Sequence, residues 1–321
     1  MKMNRLGILL LTFITLSGCV STSYHPEDSA FLGIRWQALD SLNAQLPADV
    51  RAFRAENTQL PLRAWMVWVK SGSDRAALQV LEADDPEDRR ETTSALAAQT
   101  QDCVMLNAGY FTMNKKPADH VGLLMENGVL KWNSERNLKR DTLYYTPSRA
   151  AFGIDPRGKA EITWAFAENG RVFRLPRPIP IQKGRPAAVS FDAEALWQVR
   201  DAVGAGPMLM QDGQPMITVE EEVFFGTSIP NVHPRSAVGT TRKGDVILMV
   251  VDGRQPTSRG VSLEELAELM RSAKAFNAMN LDGGGSSTLV VQQRRLNRPV
   301  GGSVEREVVS ALGVRCMPTQ K

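Results

Sequence analysis

The stretch MNLDGGGSSTLVV, residues 279–291, places one acidic residue, three glycines and two serines between two short apolar runs. Three successive glycines lose much conformational entropy on folding, so an ordered segment keeps them where the backbone takes a positive φ or approaches a ligand closely. Successive Gly and Ser amides can also form a concave nest of N–H donors that binds an anion. A tight turn between two strands is the other interpretation, because glycines are common in turns. Residues 282–287 exceed the two positions that a hairpin turn needs, and we therefore predict a binding site here.

Two familiar glycine and serine motifs do not fit this stretch. A P-loop needs a Lys after its glycines and then a helix, whereas residues 288–291 favour a strand. Ser286 and Ser287 lack the Gly-x-Ser-x-Gly frame of a nucleophile elbow. Neither motif therefore explains the three glycines.

The whole chain has the composition of a folded soluble protein. Its 321 residues are 43% hydrophobic and 23% charged, which suffices for one large core or two modest ones. The formal charge of +3 falls to +1 when Lys2 and Arg5, which lie in a leader segment, are left out. A charge this small gives no indication of a nucleic-acid partner.

The first residues have the pattern of a secretory signal. Lys2 and Arg5 precede an apolar run at residues 6–16, which is too short to span a bilayer as a mature helix. The following LSGC, residues 16–19, resembles the lipobox of bacterial lipoproteins. An ordinary cleaved signal with an incidental cysteine is the alternative.

The lipobox resemblance sets an expected organisation for the N-terminal part. We expect residues 1–18 to be a lipoprotein signal peptide, Cys19 to be lipidated, and residues 19–45 to form a tether from the membrane. Val20 after the cysteine suggests, by resemblance to enterobacterial lipoproteins, the outer membrane, with the protein facing the periplasm. The predicted location is therefore the cell envelope.

Two further cysteines follow Cys19. In an oxidising compartment Cys103 and Cys316 could form one disulfide that closes most of the domain. Two unpaired buried thiols fit the sequence equally well. The spacing of Cys and His residues does not resemble a zinc site.

Turn signals in the middle of the chain predict antiparallel sheet. Hairpin turns are indicated at residues 127–128, 155–158 and 212–213, each between apolar runs. Further on, a strand at 245–251 is followed by a helix that begins with a Ser-x-x-Glu capping box, and by a strand at 278–281. This order predicts a right-handed parallel β-α-β crossover. We therefore expect an α+β fold: one large curved, mostly antiparallel or mixed sheet, with packed helices and this crossover near the C-terminus.

The predicted crossover would bring polar side chains to one sheet edge. Asp252 and Asp282 each follow one of its two strands, with Arg254 and the glycines beside them. Asn107 and Gly109 interrupt an apolar run at the end of another strand, although a β-bulge would explain the same pattern. Arg235 follows a proline just before a strand, where a surface salt bridge is the ordinary alternative.

This set of residues suits a substrate with both a phosphate and a bond cleaved by acid–base chemistry. Arg can bind two phosphate oxygens at once, which Lys cannot do. Paired carboxylates act on glycosidic centres as acid and base, or as nucleophile and acid–base. His120 and His233 are the other possible proton carriers, although a surface or structural histidine is the more ordinary interpretation of each.

Five motifs together resemble the phosphodiester glycosidase family, over about residues 60 to 316 and in family order. The glycine-rich block is the most specific of them. Two departures are His233, where Asn is expected before Pro-Arg, and Ala108, where a second glycine is common. The motifs lie at residues 107–111, 204–207, 233–239, 251–254 and 280–288.

The resemblance implies that residues 46–321 form one phosphodiester glycosidase-like domain. Its activity would be hydrolysis of a sugar-1-phosphodiester at the anomeric C–O bond. Asp282 and Asp252 would be the catalytic carboxylates, and Asn107 would bind a sugar hydroxyl. The other substrate-binding and phosphate-binding residues would be Gly109, Arg235, Arg254, Gly283, Gly284, Gly285, Ser286 and Ser287.

Two other functions fit the same residues. In a metal-dependent phosphodiesterase that cuts the P–O bond, Asp252 and Asp282 would hold Ca²⁺ or Mg²⁺ through oxygen ligands. A non-catalytic envelope module would bind a phosphorylated glycan through the same arginines. The sequence specifies no cofactor with certainty, and a divalent cation remains open.

Overall fold

The computed structural model describes residues 24–188 and 196–317. The expected signal peptide and the lipidated Cys19 lie outside these residues, and the proposed domain bounds stay a prediction. Within the described ranges, every helix is too short or too polar to cross a membrane.

Strands dominate the secondary structure, at 42% of the described residues against 9% for helix. In chain order the first twelve strands are β1 (Gln37–Ala38), β2 (Val50–Asn57), β3 (Leu62–Val69), β4 (Ala76–Glu82), β5 (Glu91–Thr92), β6 (Val104–Asn107), β7 (Tyr110–Phe111), β8 (His120–Val121), β9 (Leu124–Glu126), β10 (Val129–Trp132), β11 (Leu138–Arg140) and β12 (Leu143–Tyr145). The remaining described strands are β13 (Arg149–Ile154), β14 (Ala160–Glu168), β15 (Arg171–Leu175), β16 (Asp201–Gly204), β17 (Met208–Gln211), β18 (Gln214–Pro215), β19 (Arg235–Thr241), β20 (Val246–Val251), β21 (Ala275–Asn280), β22 (Leu289–Val291), β23 (Arg294–Arg295), β24 (Glu307–Val308) and β25 (Ser310–Cys316). The described helices are α1 (Asp40–Asn43), α2 (Thr93–Thr100) and α3 (Leu263–Ser272).

Three larger sheets carry the fold. An eight-stranded sheet has the order β1-β2-β3-β20-β19-β21-β17-β18, a six-stranded sheet the order β10-β9-β16-β13-β14-β15, and a five-stranded sheet the order β23-β22-β6-β25-β4. One hydrophobic core joins all three, since it contains Val67, Leu106 and Phe152 from one strand of each. The side chains between the sheets are therefore apolar on facing surfaces, which matches the near-continuous apolar runs of β3 and β20.

The predicted α+β fold with a parallel crossover is wrong. The chain is mostly sheet, and β19 lies between β20 and β21, pairing antiparallel with both. The local reason is the turn after β19, which brings β20 back beside it as a hairpin before α3 begins. Because both strands run opposite to β19, their C-terminal ends still reach the same edge of the sheet.

Two further predictions concern the capped helix and the cysteine pair. Helix α3 begins at the Ser262–Glu265 capping box and buries Leu266 and Met270 against the eight-stranded sheet, which confirms the predicted helix. A Ser cap of this kind stabilises a helix by about 1 kcal/mol. The structure also joins Cys103 to Cys316 in a disulfide between the neighbouring strands β6 and β25, with Cα atoms 5.6 Å apart.

Candidate active site

The glycine loop, which we define as residues 282–288, connects β21 to β22 and lies where three chain segments meet. Asp282 N donates to Ala108 O at 2.8 Å, and Gly284 N donates to Pro234 O at 2.9 Å. Asn107 Nδ2 donates to Asp282 O at 2.7 Å. The loop is therefore fixed to the ends of β6 and to the start of β19, and it brings the motifs of residues 107–111 and 233–239 together.

Each of the last two glycines of the loop lies against an arginine. Gly284 has φ +64°, and a Cβ atom there would lie 3.5 Å from Arg254 Nη2. A Cβ atom at Gly285 would lie 2.6 Å from the Cζ atom of Arg306. At Gly283 the added atom would instead lie 2.9 Å from a backbone carbonyl oxygen. The three glycines are thus explained by close approach of guanidinium and backbone groups, as well as by backbone conformation.

Arg235 is a buried cation beneath the loop. Its guanidinium donates to the carbonyl oxygens of Ile229, Asn231 and Val261, and it forms no ion pair with a carboxylate of the described residues. Burial lowers the pKa of Arg235 to about 10, so it stays charged at neutral pH. A buried charge whose hydrogen bonds all go to carbonyl groups is expensive, and an anion bound nearby would offset that cost.

His233 holds Arg254 in place. Arg254 takes a left-handed φ of 56°, which is rare for a residue with a side chain, and its Nη2 donates to His233 Nδ1 at 2.9 Å. The other ring nitrogen, Nε2, lies 2.8 Å from Ser228 O. Burial, together with the charges of Arg235 and Arg254, lowers the pKa of His233. The ring is therefore neutral, with its proton on Nε2, and it orients the arginine; the possible role as proton carrier stays a prediction.

Asp282 carries the one carboxylate within the glycine loop, and it is partly exposed. Burial raises its pKa from 3.8 to about 6, against the lowering effects of the Ser286 hydroxyl, the Gly283 amide and the charge of Arg306. Gly283 N donates to Asp282 Oδ1 at 2.9 Å, whereas Ser286 Oγ lies beside the carboxylate without the geometry of a hydrogen bond. A carboxylate with this pKa is mostly ionised at pH 7 and more basic than an ordinary Asp.

Several polar side-chain atoms around the loop are buried and lack a hydrogen-bond partner among the described residues. Leaving such an atom unsatisfied costs about 1–3 kcal/mol, and native structures contain few of them. A cluster of them at one place is therefore a candidate site for a polar ligand or for bound water. The atoms are Asn280 Oδ1, Ser286 Oγ, Ser287 Oγ, Thr288 Oγ1 and His120 Nε2.

His120 is buried behind Gly109. Burial lowers the pKa of His120 to about 4, so the ring is neutral, and Nδ1 lies 3.1 Å from Gly122 O. The proton is therefore on Nδ1, and Nε2 is a free acceptor. A Cβ atom at Gly109 would lie 2.1 Å from His120 Nε2, so only glycine leaves room for the imidazole. Gly109 N itself donates to Ser310 Oγ at 3.0 Å.

Asn107 bonds to the protein through both ends of its side-chain amide. Its Oδ1 accepts from Ser236 Oγ at 2.6 Å and from Thr288 N at 3.1 Å, while its Nδ2 holds the Asp282 carbonyl. This arrangement assigns Asn107 to positioning the loop. The predicted contact with a sugar hydroxyl stays a prediction.

Asp252 reaches the glycine loop only indirectly. Its Oδ1 accepts from Asn297 Nδ2 at 3.0 Å and from Arg298 N at 3.1 Å, and the same Asn297 amide donates to Ser287 O at 2.8 Å. Burial raises the pKa of Asp252, and these hydrogen bonds oppose the shift. The two predicted carboxylates therefore have different surroundings: Asp282 is part of the glycine loop, and Asp252 is connected to it through Asn297.

Residues that the sequence analysis did not select complete the site. Tyr110 OH donates to Gly206 O at 2.7 Å and accepts from Asn280 Nδ2 at 2.8 Å. The buried Glu222 accepts hydrogen bonds from the backbone and from Trp164, and a Cβ atom at Gly206 would meet its carboxylate at 2.1 Å. Tyr110 and Asn280 lay within the quoted motifs, whereas nothing in the sequence around Glu222 marked it.

A metal site is not apparent from the side chains alone. The described residues contain no group of three or more His, Cys, Asp or Glu side chains that could hold an ion. The site residues are instead dominated by arginines, which favour an anion. The possible Ca²⁺ or Mg²⁺ stays an untested prediction.

Comparison with known proteins identifies a family for this chain. A family model described as phosphodiester glycosidase matches residues 101–315. N-acetylglucosamine-1-phosphodiester alpha-N-acetylglucosaminidase of Bos taurus is 43% identical over 205 residues, which are 63% of this chain and 34% of that protein. The Homo sapiens enzyme of the same name is 28% identical over 206 residues, or 63% and 35% of the two chains. This chain therefore spans about a third of the length of the curated relatives it matches.

A solved structure shares the fold. The zebrafish N-acetylglucosamine-1-phosphodiester alpha-N-acetylglucosaminidase catalytic domain, auto-inhibited by its pro-peptide, superposes with a TM-score of 0.61 at 21% identity, covering 88% of each chain. At this identity the likeness shows the fold alone. Because the family model covers two thirds of the sequence, the chain belongs to the phosphodiester glycosidase family, as its motifs indicated.

Proposed function

We propose that this protein hydrolyses a sugar-1-phosphodiester at the anomeric C–O bond. The observation that supports it is the Asp282 carboxylate, partly exposed and with a pKa of about 6, in a loop flanked by Arg235, Arg254 and Arg306. The arginines and the amides of the loop suit a phosphoryl group, and the carboxylate suits the adjacent sugar carbon. Membership of the phosphodiester glycosidase family supports the same reaction class.

The reaction needs only one reactive carboxylate. Water supplies an OH group to the anomeric carbon and gives its other proton to the ionised Asp282 carboxylate, which later releases it to solvent; the C–O bond breaks, and the bonding electrons leave with the phosphate oxygen. Because a phosphomonoester is a good leaving group, its departure needs no proton from the protein. Asp282, in its ionised form, acts on the sugar side, where positive charge develops in the transition state. Asp252, bonded beneath the loop, then supports Ser287 through Asn297.

We further propose that the protein works in the cell envelope, anchored by a lipid on Cys19. The support is the order of segments in the first nineteen residues: two basic residues, an apolar run and then LSGC. A phosphodiester-containing envelope polymer or exported glycan is the substrate class that this location favours. Palmitate labelling of the full chain and of Cys19→Ala, followed by membrane fractionation, tests the anchor; equal labelling of both would refute it.

Hydrolysis in oxygen-18 water tests the reaction. Protein beginning after Cys19 is incubated with a panel of sugar-1-phosphodiesters, and the label is located by mass spectrometry. Label in the released sugar shows C–O cleavage and supports the glycosidase. Label in the phosphate shows P–O cleavage and refutes the proposal in favour of a phosphodiesterase. Phosphoglycan binding without turnover on any substrate would refute it in favour of a binding module.

A further inference from the structure

Arg306 is a site residue that no sequence motif identified. It lies between two anchored neighbours. The carboxylate of Glu305 accepts from Ser94 N at 2.9 Å and from Ser94 Oγ at 2.6 Å at the start of α2. Glu307 pairs with Thr92 between β24 and β5. The backbone at Arg306 is therefore fixed on both sides, although the side chain itself is exposed.

The guanidinium of Arg306 lies beside the glycine loop. It lies against Gly285, where an added Cβ atom would come within 2.6 Å of Cζ and Nη2 and 3.0 Å of Nε. Its charge is near enough to Asp282 to lower the pKa of that carboxyl group. Among residues 24–188 and 196–317 it forms neither an ion pair nor a hydrogen bond, so its donors are free for a ligand. Many exposed arginines lack such partners, but Arg306 also lies against the backbone of the glycine loop.

The charge of the bound phosphoryl group differs between substrate and product. A phosphodiester carries one negative charge, whereas the phosphomonoester formed by C–O cleavage carries close to two at neutral pH, because its second pKa is about 6. Arg254 and Arg306 lie against Gly284 and Gly285, and Arg235 lies against Gly283. The attraction of these guanidinium groups is therefore stronger for the phosphomonoester than for the phosphodiester.

We propose that Arg306 binds the phosphoryl group and makes the site select a phosphomonoester dianion over a phosphodiester, so that the phosphomonoester product is an inhibitor. This inference rests on the proposed function, because C–O cleavage is the reaction that releases a phosphomonoester. Arg254 is oriented by His233, whereas Arg306 has no such partner and takes its position from Gly285 and from the ligand. Bidentate contact by a guanidinium fork is the interaction that Lys at this position would not reproduce.

Binding of two simple probes tests the proposal without any turnover. Methyl phosphate and dimethyl phosphate are titrated calorimetrically into the wild type, Arg306→Gln, Arg306→Lys and the control Arg171→Gln at pH 8. Arg171 is exposed at the start of β15, in another sheet. The wild type and the control should bind methyl phosphate about tenfold more tightly than dimethyl phosphate, as expected for one added charge-assisted contact. Arg306→Gln should reduce that ratio below about threefold, and Arg306→Lys should fall between.

The outcomes separate this inference from the proposed function. If Arg306→Gln keeps the wild-type ratio, or if the wild type binds both probes equally, the inference is refuted even where the oxygen-18 experiment shows C–O cleavage. A lost ratio in Arg306→Gln supports the phosphoryl contact even if the oxygen-18 label appears in phosphate. Gly285→Ala provides a second variant, since its Cβ atom displaces the guanidinium without removing the charge. It should lower the ratio as Arg306→Gln does.

Discussion

Asp282 combines two properties that usually exclude one another. It is buried enough for its pKa to rise to about 6, and yet part of it remains exposed to a ligand. The Gly283 amide and the charge of Arg306 limit the rise. Without them, burial alone would raise the pKa further and leave a smaller ionised fraction at neutral pH. The surroundings thus keep the carboxylate ionised near pH 7 while increasing its basicity.

The pH dependence of activity follows from this pKa. Asp282 acts in its ionised form, so kcat/KM for a sugar-1-phosphodiester should rise with pH through a midpoint near 6 and be lost below it. Asp282→Asn should lower kcat/KM on the order of a thousandfold and remove the midpoint. Asp74→Asn changes a carboxylate that is 92% exposed and serves as the control. A wild-type profile that is flat between pH 5 and 8 would contradict the assignment.

At the scale of elements, the side-chain amide of Asn107 holds the glycine loop at two points. Asn107, at the end of β6, bonds to the loop at Asp282 O and Thr288 N and to β19 at Ser236 Oγ. Asn107 thereby joins β6 of the five-stranded sheet, β19 of the eight-stranded sheet and the glycine loop at one point. The Asp282 carboxylate takes its place from these contacts.

Asn107→Ala should therefore cost both stability and activity. Removing the amide leaves buried donors and an acceptor unpaired, which should lower the free energy of unfolding by about 2–4 kcal/mol. Asn107→Asp keeps the acceptor but places a carboxylate in a fully buried position with one oxygen against Asp282 O, so its loss should be at least as large. Urea unfolding and steady-state kinetics measure the two effects. Lost activity with wild-type stability would show instead that Asn107 contacts the sugar, as the sequence resemblance implied.

Asp252 provides a second test at the scale of elements. Its carboxylate joins the end of β20 to Asn297 and Arg298, and Asn297 joins it to the glycine loop. A positioning role predicts that Asp252→Asn lowers kcat/KM by roughly tenfold, mainly through lost order in the loop, and keeps the pH midpoint near 6. A loss as large as that of Asp282→Asn, with a changed midpoint, would restore Asp252 to the second catalytic carboxylate predicted from the sequence.

For the whole molecule, sequence patterns predicted individual elements correctly. They did not predict the strand order, which depends on pairing between segments that are distant in the sequence. The capped helix α3 and the glycine loop follow from short-range rules, and both are present. The parallel crossover failed because β19 occupies the position between β20 and β21, and strand order is decided by pairing across the whole sheet. Arg306 was missed for the same reason, since only the folded chain places it against Gly285. Motif residues, including Arg235 and Arg254, could thus be identified from the sequence, but Arg306, which lies outside the motifs, could not.

The disulfide between Cys103 and Cys316 closes nearly the whole fold. Its cysteines are separated by 213 residues, so it removes a large loop-closure entropy from the unfolded chain. The pair lies at the ends of β6 and β25, and β6 leads at its other end to Asn107 and the glycine loop.

Replacing both cysteines by alanine should lower the free energy of unfolding by roughly 3–5 kcal/mol. Because the strand pairing and the site contacts remain, kcat/KM at 25 °C should stay within about twofold of the wild type. Urea unfolding of oxidised wild type, reduced wild type and the double variant measures the first effect. Equal stability of all three would show that sheet pairing alone fixes these strands, whereas a loss of activity in the folded double variant would show that the cross-link also positions the loop.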